Sequence, residues 1–242
     1  MSTLKNLSVV LITSLATSAA SAAYLDVRQG YTSETSEYET RIKLGGSFDN
    51  HFFSVEANNQ GKPFSDWSRG DNEVEYGYNF QVNKNWSIQP SLPINFDDNK
   101  RTFKPQVMFT RAFDNGVTAK FRYRHEFENY VDGESVTGRD GKEHTHLDRS
   151  KLTAWIAYDW KDFYFELEGN WAEDYVHNDW WSGNGHNGQY DWDYNLVVAY
   201  QPQDWSVKPY FEFGNVACIS DEGDCDGSTR EERFRVGVTY NF

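Results

Sequence analysis

From Tyr24 to the C-terminus, hydrophobic and polar residues alternate with a period of two. In VTAKFRYRHEF (117–127), one face carries Val117, Ala119, Phe121 and Tyr123. The other carries Thr118, Lys120, Arg122 and Arg124. Such alternation marks a strand with two different environments on its faces. The pattern recurs in Leu25, Val27 and Tyr31, in Val74, Tyr76, Tyr78 and Phe80, and in Leu152, Ala154, Ile156, Tyr158 and Trp160. It closes the chain in Phe234, Val236, Val238, Tyr240 and Phe242. About twelve such runs can be traced.

The connections between runs alternate in length. NKN, DNG, KD and PQD are tight turns built on Gly, Asn, Asp or Pro. Between them lie long polar loops near 59–70, 130–145, 173–187 and 217–229. An even number of strands with short turns on one side and long loops on the other predicts an all-β fold. The expected architecture is a transmembrane antiparallel β-barrel of about twelve strands, with short periplasmic turns and long extracellular loops. Aromatics at the short-turn ends (Phe80, Trp86, Phe113, Trp160, Phe163, Tyr200, Trp205, Phe242) match an interfacial girdle. A soluble β-sandwich would use Val, Leu and Ile in its core and would not explain the loop asymmetry. Pro90, Pro105 and Pro209 interrupt strands on the outward parity, where only a bulge suggests itself.

Composition refines this picture. The 242 residues are 38% hydrophobic yet 17% aromatic. That balance fits sheets of which only alternate residues meet an apolar phase. The net charge of −14 argues against a nucleic-acid partner. Much of the acid sits in loop segments such as DGESVTGRDGKE and DEGDCD. No later stretch approaches the ~20 apolar residues of a spanning helix. The N-terminal LSVVLITSLATSAA after Lys5, ending in small residues, reads as a signal peptide over 1–22, with the barrel domain over 23–242. Cys218 and Cys225 suggest a disulfide closing a small loop in an exported protein. The acid-rich loop around them lacks the full pattern of a calcium site, and the reading calls for no metal or cofactor.

If apolar residues face lipid, the alternate set lines a lumen. Inward cations then gather in two groups. Arg28, Arg41, Lys43, Arg233 and Arg235 come from the last and first two strands. Lys104, Lys120, Arg122, Arg124, Arg149 and Lys151 come from strands six to eight. In a closed twelve-stranded barrel these groups face each other across the bore. Acids on other strands, such as Glu56, Glu166 and Glu212, can pair with them. About twelve strands leave more room than the side-chain-filled eight-stranded barrel, so a cationic pathway selecting anions is expected. Arg suits carboxylates because its fork engages both oxygens. Tyr164 and Tyr210 are candidate contacts for sugar faces.

LDVRQGYTSETSEYETRIKL near the start, RYRHEF in the middle and PYFEF with RFRVGVTYNF at the end resemble the oligogalacturonate-specific (KdgM-type) porins, whose relatives include a sialic-acid porin. The resemblance spans almost the whole chain. It implies a monomeric outer-membrane channel of a Gram-negative bacterium, working by passive diffusion on acidic oligosaccharides or sugar acids. Oligogalacturonate-like polyuronates are the favoured cargo, with sialic acid and alginate fragments as alternatives. The match supports Arg28, Arg41, Arg122, Arg124, Lys151 and Arg235 as wall residues. The abundance of lumenal acids is a departure from the family pattern.

Two other classes compete. A barrel lipase needs Ser, His and a polar orienter converging on the lipid side. His125 faces outward, but no matching Ser on a neighbouring strand stands out. His144 and His146 form a weak H-x-H signal in a loop, and His177 and His186 also lie in loops. A structural or adhesive barrel would need a plugged or neutral lumen. The expectation is therefore a channel and not an enzyme, embedded among outer-membrane lipids.

Overall fold

The computed structural model describes residues 22–63, 65–131, 133–138, 140–176, 190–219 and 226–242. The signal-peptide segment up to residue 21, His177, His186 and Cys225 lie outside these residues. Ala22, the last residue of the expected signal, already begins the first strand.

Twelve strands form one antiparallel sheet. They are β1 (Ala22–Thr32), β2 (Tyr38–Phe48), β3 (His51–Gln60), β4 (Ser68–Tyr78, resumed over Phe80–Asn83), β5 (Trp86–Phe96) and β6 (Lys100–Phe103, resumed over Gln106–Ala112). Then follow β7 (Val117–Tyr130), β8 (His146–Trp160), β9 (Phe163–Asp174), β10 (Tyr190–Tyr200), β11 (Val207–Ile219) and β12 (Asp226–Asn241). Each strand pairs with the next, and β12 pairs with β1 from Tyr24↔Asn241 to Thr32↔Arg233. The sheet therefore closes on itself. Closure is required in hydrocarbon, which offers backbone amides and carbonyls no other partner.

The burial pattern is inside-out relative to a soluble protein. Ile156, Leu167 and Val236 are 61%, 51% and 57% exposed, whereas Thr153, Asn170 and Glu212 are buried. Along the outer surface, apolar residues pair across strands, as Val27 does with Ile42 and Val238. Asp49 and Lys161 adopt left-handed backbone conformations in two of the short turns, and Gly116 does so in a third. Tight hairpins demand this to match strand twist. Trp160, Phe163, Tyr200 and Trp205 cluster at the short-turn rim. The guanidinium of Arg111, on the outward parity, lies 5.2 Å from the Trp86 ring and 4.5 Å from Phe113. It thus rests among the girdle aromatics, as a snorkelling cation does.

The prolines fall where pairing is interrupted. Pro90 lies against the break in β4 at Asn79, where the register passes from Gly77↔Ser91 to Phe80↔Ile88. Pro105 occupies the break in β6. Pro209 lies just past the end of the β10–β11 ladder, which stops at Ala199↔Tyr210. A missing amide donor costs least at such positions.

Candidate functional site

Parity carries the eleven expected cations to the inner wall. Each strand's inward set meets that of its neighbours in register: Arg28↔Arg41, Lys43↔Glu56, Arg124↔Lys151, Arg149↔Glu126 and Glu212↔Arg235 are direct cross-strand pairs. Cations from the two groups border common space. Lys43 lines a cavity of about 440 Å³ together with Arg122 and Arg124. Arg28 and Arg41 line another, of about 240 Å³, with Lys120. A larger cavity of about 810 Å³ lies toward the long loops and is bordered by Lys104, Arg149 and Arg233.

On the β12–β1–β2 wall, carboxylates accompany every expected cation. Arg235 Nη1 donates to Glu212 Oε1 (2.7 Å) and Nη2 to Glu39 Oε2 (3.4 Å). Arg28 is 3.6 Å from both Glu39 and Glu212, and Arg233 lies 3.9 Å from Glu212. Arg41 donates to Asp26 (2.7 Å) and is 3.8 Å from Glu56, which also pairs with Lys43 at 3.3 Å. Asp26 further accepts bonds from Tyr210 (3.1 Å) and Thr239 (2.8 Å).

The β6–β8 wall differs. Lys104 pairs with Glu73 (3.0 Å), Lys120 with Glu166 (2.9 Å), and Arg149 with Asp174 (2.7 Å) and Glu128 (3.2 Å). Glu166 also accepts a hydrogen bond from Tyr164. Arg124 reaches Glu126 only at 3.7 Å and donates to Gln106 (2.7 Å). Among the described residues, no carboxylate comes within ion-pair distance of Arg122 or Lys151. Neutral groups hold Arg122 instead. Its guanidinium stacks over Trp155 at 4.9 Å, and its Nη2 donates to Thr153 Oγ1 (3.0 Å).

Trp155 and Thr153 escape a search confined to charged residues, although their odd positions on β8 place them inward with Arg149 and Lys151. Lys208 also borders the cavity of Arg28 and Lys120, 5.7 Å from the Tyr164 ring. It stands beside a short turn, where the alternation gives little guidance. Of the expected disulfide, only Cys218 is described. It is fully buried and not a free thiol.

One expectation about the outer face needs correction. A serine does stand opposite His125: Ser150 is its cross-strand partner, with Oγ 3.1 Å from His125 Nδ1. Asp148 lies 3.9 Å from Nε2, and the Tyr123 hydroxyl 3.2 Å from Ser150 Oγ. Ser150 is only 6% exposed, however, and the strands on both sides of it are paired in the barrel ladder. The group is a hydrogen-bonded polar cluster on the outer face of the barrel, toward its long-loop end.

A closed antiparallel barrel, apolar outside and lined by charged groups and cavities within, is a membrane channel of the outer-membrane type. The family model described as "Oligogalacturonate-specific porin protein (KdgM)" matches residues 16–242, and the chain belongs to that family. Relatives include the uncharacterized protein YiiY of Salmonella typhimurium, 28% identical over 244 residues that cover 97% of each chain. The N-acetylneuraminic acid outer membrane channel protein NanC of Escherichia coli K12 is 23% identical over 230 residues, 90% of each chain. A solved NanC porin superposes with a TM-score of 0.74 at 20% identity, covering 89% of this chain and 98% of that one. A KdgM porin superposes with a TM-score of 0.61 at 19% identity, covering 90% and 99%. The chain is thus an outer-membrane porin of a Gram-negative bacterium.

Proposed function

We propose that this porin admits anionic saccharides by passive diffusion, with the lumenal Arg and Lys side chains as its pathway. One observation carries the reading: cations from opposite walls, Lys43 and the Arg122–Arg124 pair, border a single interior cavity. Cations placed there raise the local concentration of carboxylated sugars without the tight binding that would stop conduction. The names of two relatives point the same way, one a channel for N-acetylneuraminic acid and another solved with disordered oligogalacturonate. Both ligands are acidic sugars, and the porin acts on that class as a monomer. Planar-bilayer reversal potentials under a KCl gradient test this. Replacing Arg122 and Arg124 with Glu shifts selectivity from anion toward cation, and unchanged potentials would reject the assignment.

A further inference from the structure

The two basic walls are not equivalent, and the difference bears on which acidic sugar fits. On the β12–β1–β2 wall, five cations share four carboxylates, Asp26, Glu39, Glu56 and Glu212, each within ion-pair distance. A passing carboxylate must displace a resident one to gain a contact there. On the opposite wall, Arg124 stands directly across the ladder from Lys151, and Arg122 follows Arg124 on the same face. Like charges directly opposite are destabilising. Among the described residues, the carboxylate within ion-pair distance of this group is Glu126, 3.7 Å from Arg124, while Glu73, Glu75 and Asp193 border the same cavities farther off.

The anchoring of Arg122 is equally specific. The ring of Trp155 supports its guanidinium, while Trp155 is itself fixed by an Nε1–H bond to Glu168 (2.6 Å). Thr153, which accepts from Arg122, donates to Asn170 Oδ1 (2.9 Å), and Asn170 donates to Asp193 (2.8 Å). The side chain is thus held in place by neutral groups. No carboxylate among the described residues is within ion-pair distance of it, and its buried Nε has no hydrogen-bond partner there, as is also true of the Nε of Arg41, Arg233 and Arg235. Such an arrangement holds a guanidinium ready for an incoming oxyanion at little ordering cost.

We propose that Arg122, Arg124 and Lys151, the expected cations least engaged by carboxylates among the described residues, form the anion station of this lumen, and that it takes a single carboxylate at a time. The cargo it fits is a small monocarboxylated sugar acid. An extended polyuronate needs successive stations along its chain, and the ion-paired opposite wall, where each cation already meets a carboxylate, does not supply them. This rests on the reading of the chain as an anionic-saccharide porin.

The test uses the full mature chain in planar bilayers, with galacturonate and trigalacturonate as probes of single-channel current. Galacturonate and trigalacturonate interrupt the current with apparent affinities within about threefold of each other. R122Q weakens the galacturonate effect about tenfold, the worth of one charge-assisted hydrogen bond, and K151Q does likewise. R235Q, on the ion-paired wall, weakens it by a smaller factor than R122Q does. R122K serves as a second variant should R122Q fold poorly, with folding checked by heat-modifiable gel mobility. It retains charge but loses the fork and falls between wild type and R122Q. Two results would overturn the station while leaving the general reading intact: trigalacturonate more than tenfold tighter than galacturonate, or R235Q as damaging as R122Q. A wild-type channel with no anion preference in KCl would instead remove the general reading.

Discussion

Glu212 is the residue on which the ion pairs of the β12–β1–β2 wall converge. It is buried, accepts from Arg235 at 2.7 Å, and lies within 3.6 and 3.9 Å of Arg28 and Arg233. Replacing it with Gln keeps the shape but removes the charge that three guanidinium groups share. Loss of a charge-assisted hydrogen bond at a buried site costs about 2 kcal/mol, read as a lower urea midpoint in detergent micelles. The same substitution uncovers the cations of that wall, so anion selectivity rises as stability falls. A variant that changed neither would show the three arginines to be compensated elsewhere. Which residues face the lumen follows from alternation alone, and Arg122, Arg124 and Glu212 can all be placed that way. Which acid meets which base cannot, because partners depend on cross-strand register. Ser150 opposite His125 is the clear case: a long connection joins their strands, so its length does not fix the register, and nothing in the alternation of either strand reveals it.

At the scale of the strand, three lumenal aromatics lie over glycines on neighbouring strands: Tyr24 over Gly45, Phe52 over Gly77 and Tyr210 over Gly237. A Cβ at Gly45 would stand 2.5 Å from the Tyr24 ring, and at Gly77 and Gly237 it would stand 2.3 Å from Phe52 and Tyr210. The glycines let the rings lie flat along the wall, the same covering of strand glycines by aromatics that pins register in built barrels. Gly45→Val pushes Tyr24 off the wall into the cavity it borders with Lys43 and Arg122. Single-channel conductance should fall by about half or more, and Tyr24→Ala in the same chain should restore it. If conductance held in Gly45→Val, the ring would have another place to go. The strands themselves were legible as runs of period two. The breaks at Asn79 and Lys104–Pro105 were not, because prolines mark a fault in pairing without saying which neighbour yields. The glycine–aromatic pairs were hidden for the same reason as the ion pairs: they join residues in different runs.

Across the whole molecule, charge is graded along the bore. The cavity toward the long loops is bordered by seven carboxylates, among them Asp71, Asp97, Asp98 and Glu128, against five cations. The deeper cavity has Lys43, Arg122 and Arg124 against Glu73 and Glu75. The ion pairs Lys104–Glu73 and Arg124–Glu126 stand between them, each with one partner bordering either cavity. An anion entering from outside therefore crosses an acidic vestibule before it meets the cationic station, whereas one entering from the periplasm meets the cations first. A fixed-charge gradient of this kind makes ion flow depend on the sign of the voltage, since one polarity enriches mobile ions at the junction and the other depletes them. In symmetric 0.1 M KCl, where charges act over about 10 Å, the oriented channel should pass unequal currents at equal and opposite voltages. In 1 M KCl screening shortens that reach to about 3 Å, and the asymmetry should largely vanish. Neutralising Asp97 and Asp98 together should reduce the low-salt asymmetry without moving the affinity for galacturonate, because both lie in the outer vestibule, away from Arg122. Rectification that persisted unchanged in high salt would locate its cause in a moving segment of the pore and not in the distribution of its charges.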